Sequence, residues 1–233
     1  MRLKRGLFRW FIPTLYFNLK CFPIKQAVKL PVYIYRTRFL NLKGKISFAD
    51  NVQLKRGMVC IGFPETCLYM DKRYTLDIGG EVVFNGECHL GMGGVLSVGP
   101  KGLFNVGDCV TMSDSTSIVC HHYIEIGNNS TAGWGCLFCD SDFHSMKNAF
   151  TEKKIKAYAP IRIGENNWFG ESCTVLKGTV TPVYTTVSAC SLLSHKYKCA
   201  EKSVLSGNPA QVVSEGCYYR DMNDDKVIYE QYR

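Results

Sequence analysis

The chain has 233 residues, 46% of them hydrophobic and 21% charged, a balance that excludes a disordered or fibrous protein and allows one substantial core with accessories. Its formal net charge is +8, yet residues 1–49 carry eleven Lys and Arg and no acidic residue before Asp50, leaving 17 basic against 20 acidic residues in the remainder. The body is therefore not basic, which argues against nucleic acid as a partner. Richness in Gly (21), Tyr (13) and Phe (13), with no long amphipathic pattern after the first forty residues, favours an all-β protein.

Residues 1–39 read as a basic amphipathic helical arm punctuated by Pro13, Pro23 and Pro31. Phe8, Trp10, Phe11, Tyr16 and Phe17 lie among its positive charges, a mixture that suits an anionic membrane surface. The competing role is a cap on the first turn of the following domain, and the two are compatible. The uncharged run from Trp10 to Leu19 is far short of the roughly twenty apolar residues that span a bilayer. Arg9 and Pro13 also interrupt any signal-peptide core, so the expected location is cytoplasmic, with peripheral contact to the inner membrane face through residues 1–39.

Residues 40–213 form the expected main domain, and their dominant signal is a step of six. Ile163, Phe169, Val175, Thr181, Val187 and Leu193 are evenly spaced, as are Ile126, Ala132 and Phe138, then Val106, Met112 and Ile118, and Ile78, Phe84, Leu90 and Leu96. Ile46, Val52 and Met58 continue the pattern upstream. Gly79, Gly91, Gly107, Gly127, Gly133, Gly164 and Gly170 follow apolar rungs and suit adjoining turns. Neither the helical period of 3.6 nor strand alternation of two repeats this way, so the domain reads as a β-solenoid. The step breaks between Met58 and Ile78, between Leu96 and Val106, and between Phe138 and Ile163. Twelve cysteines in a chain of this size read as free thiols, with Cys136 and Cys173 acting as small apolar residues at narrow positions.

The third break opens with Cys139-Asp140-Ser141-Asp142-Phe143-His144-Ser145. An imidazole beside carboxylates suits a general base whose tautomer is fixed by Asp142 or Asp140. Metal binding is not expected, because Cys136 and Cys139 lack a second pair, and His89, His121, His122 and His144 do not have the spacing of a three-histidine site.

The hexapeptide step over roughly residues 46–210 resembles the left-handed parallel β-helix acyltransferases. The segments Ile126-Gly-Asn-Asn-Ser-Thr-Ala-Gly-Trp134, Asp140-Ser-Asp-Phe-His144 and Ile163-Gly-Glu-Asn-Asn-Trp168-Phe-Gly170 are similar to those of capsular-polysaccharide, maltose and galactoside O-acetyltransferases. The resemblance implies an all-β left-handed parallel β-helix with His144 as the base. It places Trp168 beside the reacting groups, and the backbone N–H near Glu171 where it would stabilise the developing oxyanion. It implies acetyl-CoA as co-substrate, with Gly170, Ala189, Ser194 and the Ser206-Gly-Asn208-Pro209-Ala segment along the coenzyme groove. His195 and Gln211 stand where the family often has Lys and Arg, leaving Lys196, Lys198 and Lys202 to grip the 3′-phosphate.

Ser113 takes the place of an acceptor-binding Asn, and Asp114 and Trp134 join it as candidate saccharide contacts. The implied assembly is a homotrimer with sites between subunits. N-acyl transfer to an amino sugar would use the same base and groove, and a non-catalytic, membrane-associated solenoid is the reading from another class. The tail, residues 214–233, carries Tyr218, Tyr219, Tyr229 and Tyr232 and no assigned chemistry.

Overall fold

The computed structural model describes residues 10–221; residues 1–9 of the arm, with Phe8, and residues 222–233, with Tyr229 and Tyr232, lie outside the described residues. Among the described residues, helices α1 (Ile12–Cys21) and α2 (Ile24–Ala27) precede the first strand, β1 (Val32–Ile34). From β1 onward the chain visits three sheets in rotation. The first runs from β1 through parallel neighbours to Val204–Gly207, the second from Thr37–Leu42 to Leu192–Leu193, and the third from Lys45–Phe48 to Val180–Thr181. Within the coils each strand pairs in parallel with the strand one full coil away, as Met112 with Ala132 and Phe138 with Val175.

Strand Thr37–Leu42 pairs with Tyr74–Ile78, so the solenoid begins inside the segment assigned to the arm, and a boundary at 39/40 cuts through a strand. Pro23 and Pro31 stop the helices early, and the extended Val-Tyr-Ile sequence of β1 then starts the coil.

The six-residue ladder is the core. Ile163, Phe169, Val175, Thr181, Val187 and Leu193 all point inward and are at most 4% exposed. Removing one such apolar side chain would cost about 2–5 kcal/mol, because neighbouring coils are held at fixed spacing and cannot collapse into the gap. Cys136 and Cys173 fill narrow positions as expected, their thiols donating to the carbonyls of Gly170 and Ser188, each at 3.2 Å.

The ladder glycines answer to stacking rather than to turn conformation. A Cβ on Gly127 would lie 2.6 Å from Glu165 N, and one on Gly164 would lie 2.5 Å from Pro182 O. Coils stacked about 4.8 Å apart leave no room for a side chain there. The left-handed backbone instead falls on corner residues such as Asn129 and Asn166, both with φ of 56°.

Two of the three breaks are excursions: residues 64–73 and residues 140–160 leave the coil. The break between Leu96 and Val106 is only a wider corner, closed by Gly102 N–H donating to Gly99 O at 2.8 Å, with strands Val95–Val98 and Leu103–Val106 running straight into and out of it.

Each end of the solenoid is closed by a different device. At the start, α1 lies along β1 and replaces the missing coil with side chains. Asn18 Oδ1 accepts from Val32 N at 3.2 Å and its Nδ2 donates to Val32 O at 2.7 Å, while Thr14 Oγ1 accepts from Ile34 N at 2.9 Å. At the other end, Ala210–Ser214 folds back antiparallel on Val204–Gly207. The tail continues over the last coil, where Lys202 sits against the rings of Tyr184 and Tyr219.

Candidate active site

The rotation of the chain divides the expected site residues between two edges of the prism. The edge between the first and second sheets stacks Ser113 and Asp114, then Gly133 and Trp134, Gly170 and Glu171, Ser188 and Ala189, and finally Asn208 and Pro209. Registers Met112–Ala132, Ala132–Phe169, Phe169–Val187 and Val187–Leu205 hold this column together. The corners touch closely enough that a Cβ on Gly170 would meet Ala189 N at 2.6 Å. Trp168 projects outward from the first sheet beside this edge, opposite Thr131 and Thr186, and is 41% exposed. Trp134 and Glu171 are exposed as well.

The edge between the second and third sheets carries His121 and His122, then Asp140 with the loop that holds Asp142 and His144, then Lys177, then Ser194. Lys196 follows on the third-sheet side, bridging to Val180. One short strand of the second sheet separates the two edges, about 16 Å for the five residue steps from Gly135 to Asp140. Within one chain the structure thus groups His144 with Asp142, Ser194 and Lys196. It groups Trp168 with Gly170, Glu171, Ala189, Trp134, Ser113 and the Asn208-Pro209 turn.

His144 is exposed on the long loop, and that loop is strongly anchored. Asp140 is fully buried and accepts from the backbone N–H groups of His121, His122 and Tyr123 at 2.8, 2.7 and 2.7 Å. Its oxygens are committed to the preceding corner, so Asp140 does not orient the imidazole. Asp142 is paired with Lys177, whose ammonium also donates to Lys156 O at 3.0 Å. Phe143 packs edge-on against the His121 ring at 4.6 Å, and Tyr158 lies 4.7 Å from the His122 ring. The two neighbouring histidines are thereby the aromatic seat of the loop. Its far part is a hairpin, Met146–Lys147 against Lys154–Ile155, with Phe150 almost wholly exposed at the turn.

Asp114, expected from the sequence as a candidate saccharide contact, is instead an internal anchor. It is fully buried, and its carboxylate accepts from the backbone N–H groups of Met92 at 2.8 Å, Thr66 at 3.1 Å and Glu65 at 3.2 Å. This fastens residues 64–73 to the first edge. Ser113 is 8% exposed beside it. Residues Arg38, Lys72, Arg73, Asp71, Thr75 and Gly93 then line an open polar cleft of about 340 Å³, a cationic group that no sequence motif announced. The lysines near the coenzyme segment, Lys196, Lys198 and Lys202, are all exposed, and Lys202 lies over the rings of Tyr184 and Tyr219.

No family model matches the chain. It is 29% identical over 184 residues to the probable acetyltransferase Rv3034c of Mycobacterium tuberculosis, an alignment covering 77% of this chain and 57% of that relative. The chain thus spans little more than half of the relative's length. Among solved structures, the polySia specific acetyltransferase NeuO superposes with a TM-score of 0.56 at 15% identity, covering 84% of this chain and 79% of that one. A point mutant of the N-acyltransferase AntD from Bacillus cereus superposes at 11% identity with a TM-score of 0.42, covering 92% of this chain and 98% of that one. Together with the three parallel sheets, the NeuO match establishes that this chain has the left-handed parallel β-helix fold of the hexapeptide-repeat acetyltransferases.

Proposed function

We propose that the protein is an acetyl-CoA-dependent O-acetyltransferase acting on a saccharide hydroxyl, with His144 as general base. The hydroxyl oxygen attacks the thioester carbonyl as the imidazole takes its proton. The C–O bond forms, the C–S bond breaks, and the proton passes from the imidazolium to the departing thiolate.

The observation that carries this reading is the split of the site residues. His144 stands on one edge of the prism and the Trp168–Gly170–Ala189 column on the next, each exposed and neither complete. A rotational trimer would face the first set of one copy with the second set of its neighbour, giving a base on one wall and coenzyme-binding backbone on the other. The relative Rv3034c, a probable acetyltransferase, supports acyl transfer, and the NeuO fold match supports a saccharide acceptor. The cationic cleft lined by Arg38, Lys72 and Arg73 suits a saccharide bearing carboxylate or phosphate groups.

Incubation with labelled acetyl-CoA and a panel of cell-envelope glycans tests the reading. His144→Ala should lower transfer by about 10² to 10⁴-fold with the melting temperature unchanged, since the side chain is exposed. Mild alkali distinguishes the alternative: an O-acetyl ester is hydrolysed and releases its label, whereas the amide formed on an amino sugar keeps it. Full activity in the folded variant would remove His144 from the mechanism.

A further inference from the structure

Helix α1 is inside out. The side chains it turns toward the solenoid are Thr14, Phe17 and Asn18, each at most 1% exposed, two of them polar. The side chains it turns to solvent are Ile12, Leu15, Tyr16 and Leu19, between 40% and 52% exposed, at the i, i+3, i+4, i+7 spacing of a continuous apolar stripe. The inward face is dictated by β1, whose backbone groups need Thr14 and Asn18 as partners. Of this stripe Tyr16 also touches the solenoid, its ring 5.7 Å from that of Phe39, yet it stays 52% exposed, and the hydrogen bonds to β1 do not require the outward face to be apolar. Ile24 and Val28 extend the patch, exposed at 65% and 63%, and Trp10 and Phe11 border its other end.

The orientation is as informative as the composition. Thr14 meets Ile34 and Asn18 meets Val32, so the helix runs along β1 and therefore across the coil axis. The stripe lies flat on the end face of the solenoid, where a planar surface can reach all of it.

Charge decides between two occupants. Lys20, Lys25 and Lys29 flank the patch, Arg2, Lys4, Arg5 and Arg9 precede it in sequence, and no acidic residue occurs before Asp50. A second copy docked end to end would bring these cations against their own kind. An anionic lipid surface would complement them while taking up the apolar stripe. We infer that the capped end of the solenoid is a docking face for anionic lipid bilayers, with α1 lying in the interfacial plane. The inference is independent of the acyl-transfer reading, since none of its residues belongs to the proposed site.

Co-sedimentation of the full chain with phosphatidylcholine vesicles, with and without phosphatidylserine, tests it. Binding should require phosphatidylserine, weaken with salt, and fall at least about tenfold in the double variant Leu15→Asp/Leu19→Asp. That variant should melt normally, because both side chains point to solvent. A second variant, Lys20→Gln/Lys25→Gln/Lys29→Gln, leaves the stripe intact and should lose binding to anionic vesicles in the same direction. Absent or lipid-independent binding, or undiminished binding by either folded variant, would overturn the inference. So would a sedimentation-velocity shift showing that Leu15→Asp/Leu19→Asp abolishes self-association of the chain, which would assign the face to a second copy.

Discussion

Lys177 reaches across the edge between the second and third sheets to hold the carboxylate of Asp142, two residues before His144. A rigid coil thereby fixes the base of a long loop through one partly exposed ion pair and one hydrogen bond to Lys156 O. Exposed pairs of this kind contribute only about 0.2–1 kcal/mol to stability. Lys177→Met should therefore leave the thermal melt within about 3 °C of the parent while lowering the rate of acetyl transfer about tenfold, by loosening His144. Parallel melting curves and initial rates check both parts, and an unchanged rate would mean that the pair does not position the loop.

Asp114 should behave in the opposite way. Its buried carboxylate satisfies backbone N–H groups on two segments, so Asp114→Ala leaves the buried Met92 N–H and the less buried Glu65 and Thr66 N–H groups without their acceptor. The expected loss is about 2–4 kcal/mol of stability. Residues 64–73 should become the first site of limited proteolysis, which mass mapping of the early fragments would detect. A variant as stable and protease-resistant as the parent would contradict the anchoring role.

Alkaline pH should destabilise the fold. Burial pushes the Cys21 thiol from its ordinary 9.0 up to about 11 and also raises the Cys88 and Cys120 thiols and the Tyr74 phenol. In the folded chain these groups keep protons that the unfolded chain releases near the ordinary values. Their contribution is whole below about pH 9 and is lost as pH rises through the shifted values. Melting temperature should fall by roughly 5 °C or more between about pH 8 and pH 10.5. A flat profile over that range would show that these groups are not held protonated.

What could be read from the sequence follows from geometry that the sequence must obey. A rung every six residues cannot be satisfied by any ordinary helix or hairpin, so Ile163 through Leu193 announced the coil, and its interruption after Phe138 marked the loop of His144. The carboxylates were harder. Asp114 and Asp140 lie in segments rich in Ser, Asp and His that look solvated, yet each is drawn inside by backbone N–H groups one coil away, a distance of about twenty residues that no local pattern encodes. Helix α1 inverts the usual rule for a different reason. A helix ordinarily turns its apolar side to the core, but here the core presents a strand edge, and Thr14 and Asn18 face it because hydrogen bonding outranks apolar contact there. The partition of the site over two edges was likewise hidden, since it depends on the number of residues per face.

The two end closures set how this architecture can change in length. A parallel coil with an open first or last strand would offer a template on which further chains could stack without limit. In the first sheet the Thr14 and Asn18 side chains occupy the outer edge of β1, and the antiparallel Ala210–Ser214 strand covers that of Val204–Gly207, so neither end of that sheet offers a parallel template for a further coil. Whole coils can be gained or lost only by insertion or deletion between the poles, where every new turn finds matching neighbours above and below. The distance between the end face and the His144 loop is then adjustable in steps of one coil, about 4.8 Å each. Evolution could tune how far the chemistry stands from whatever the end face touches, without redesigning either.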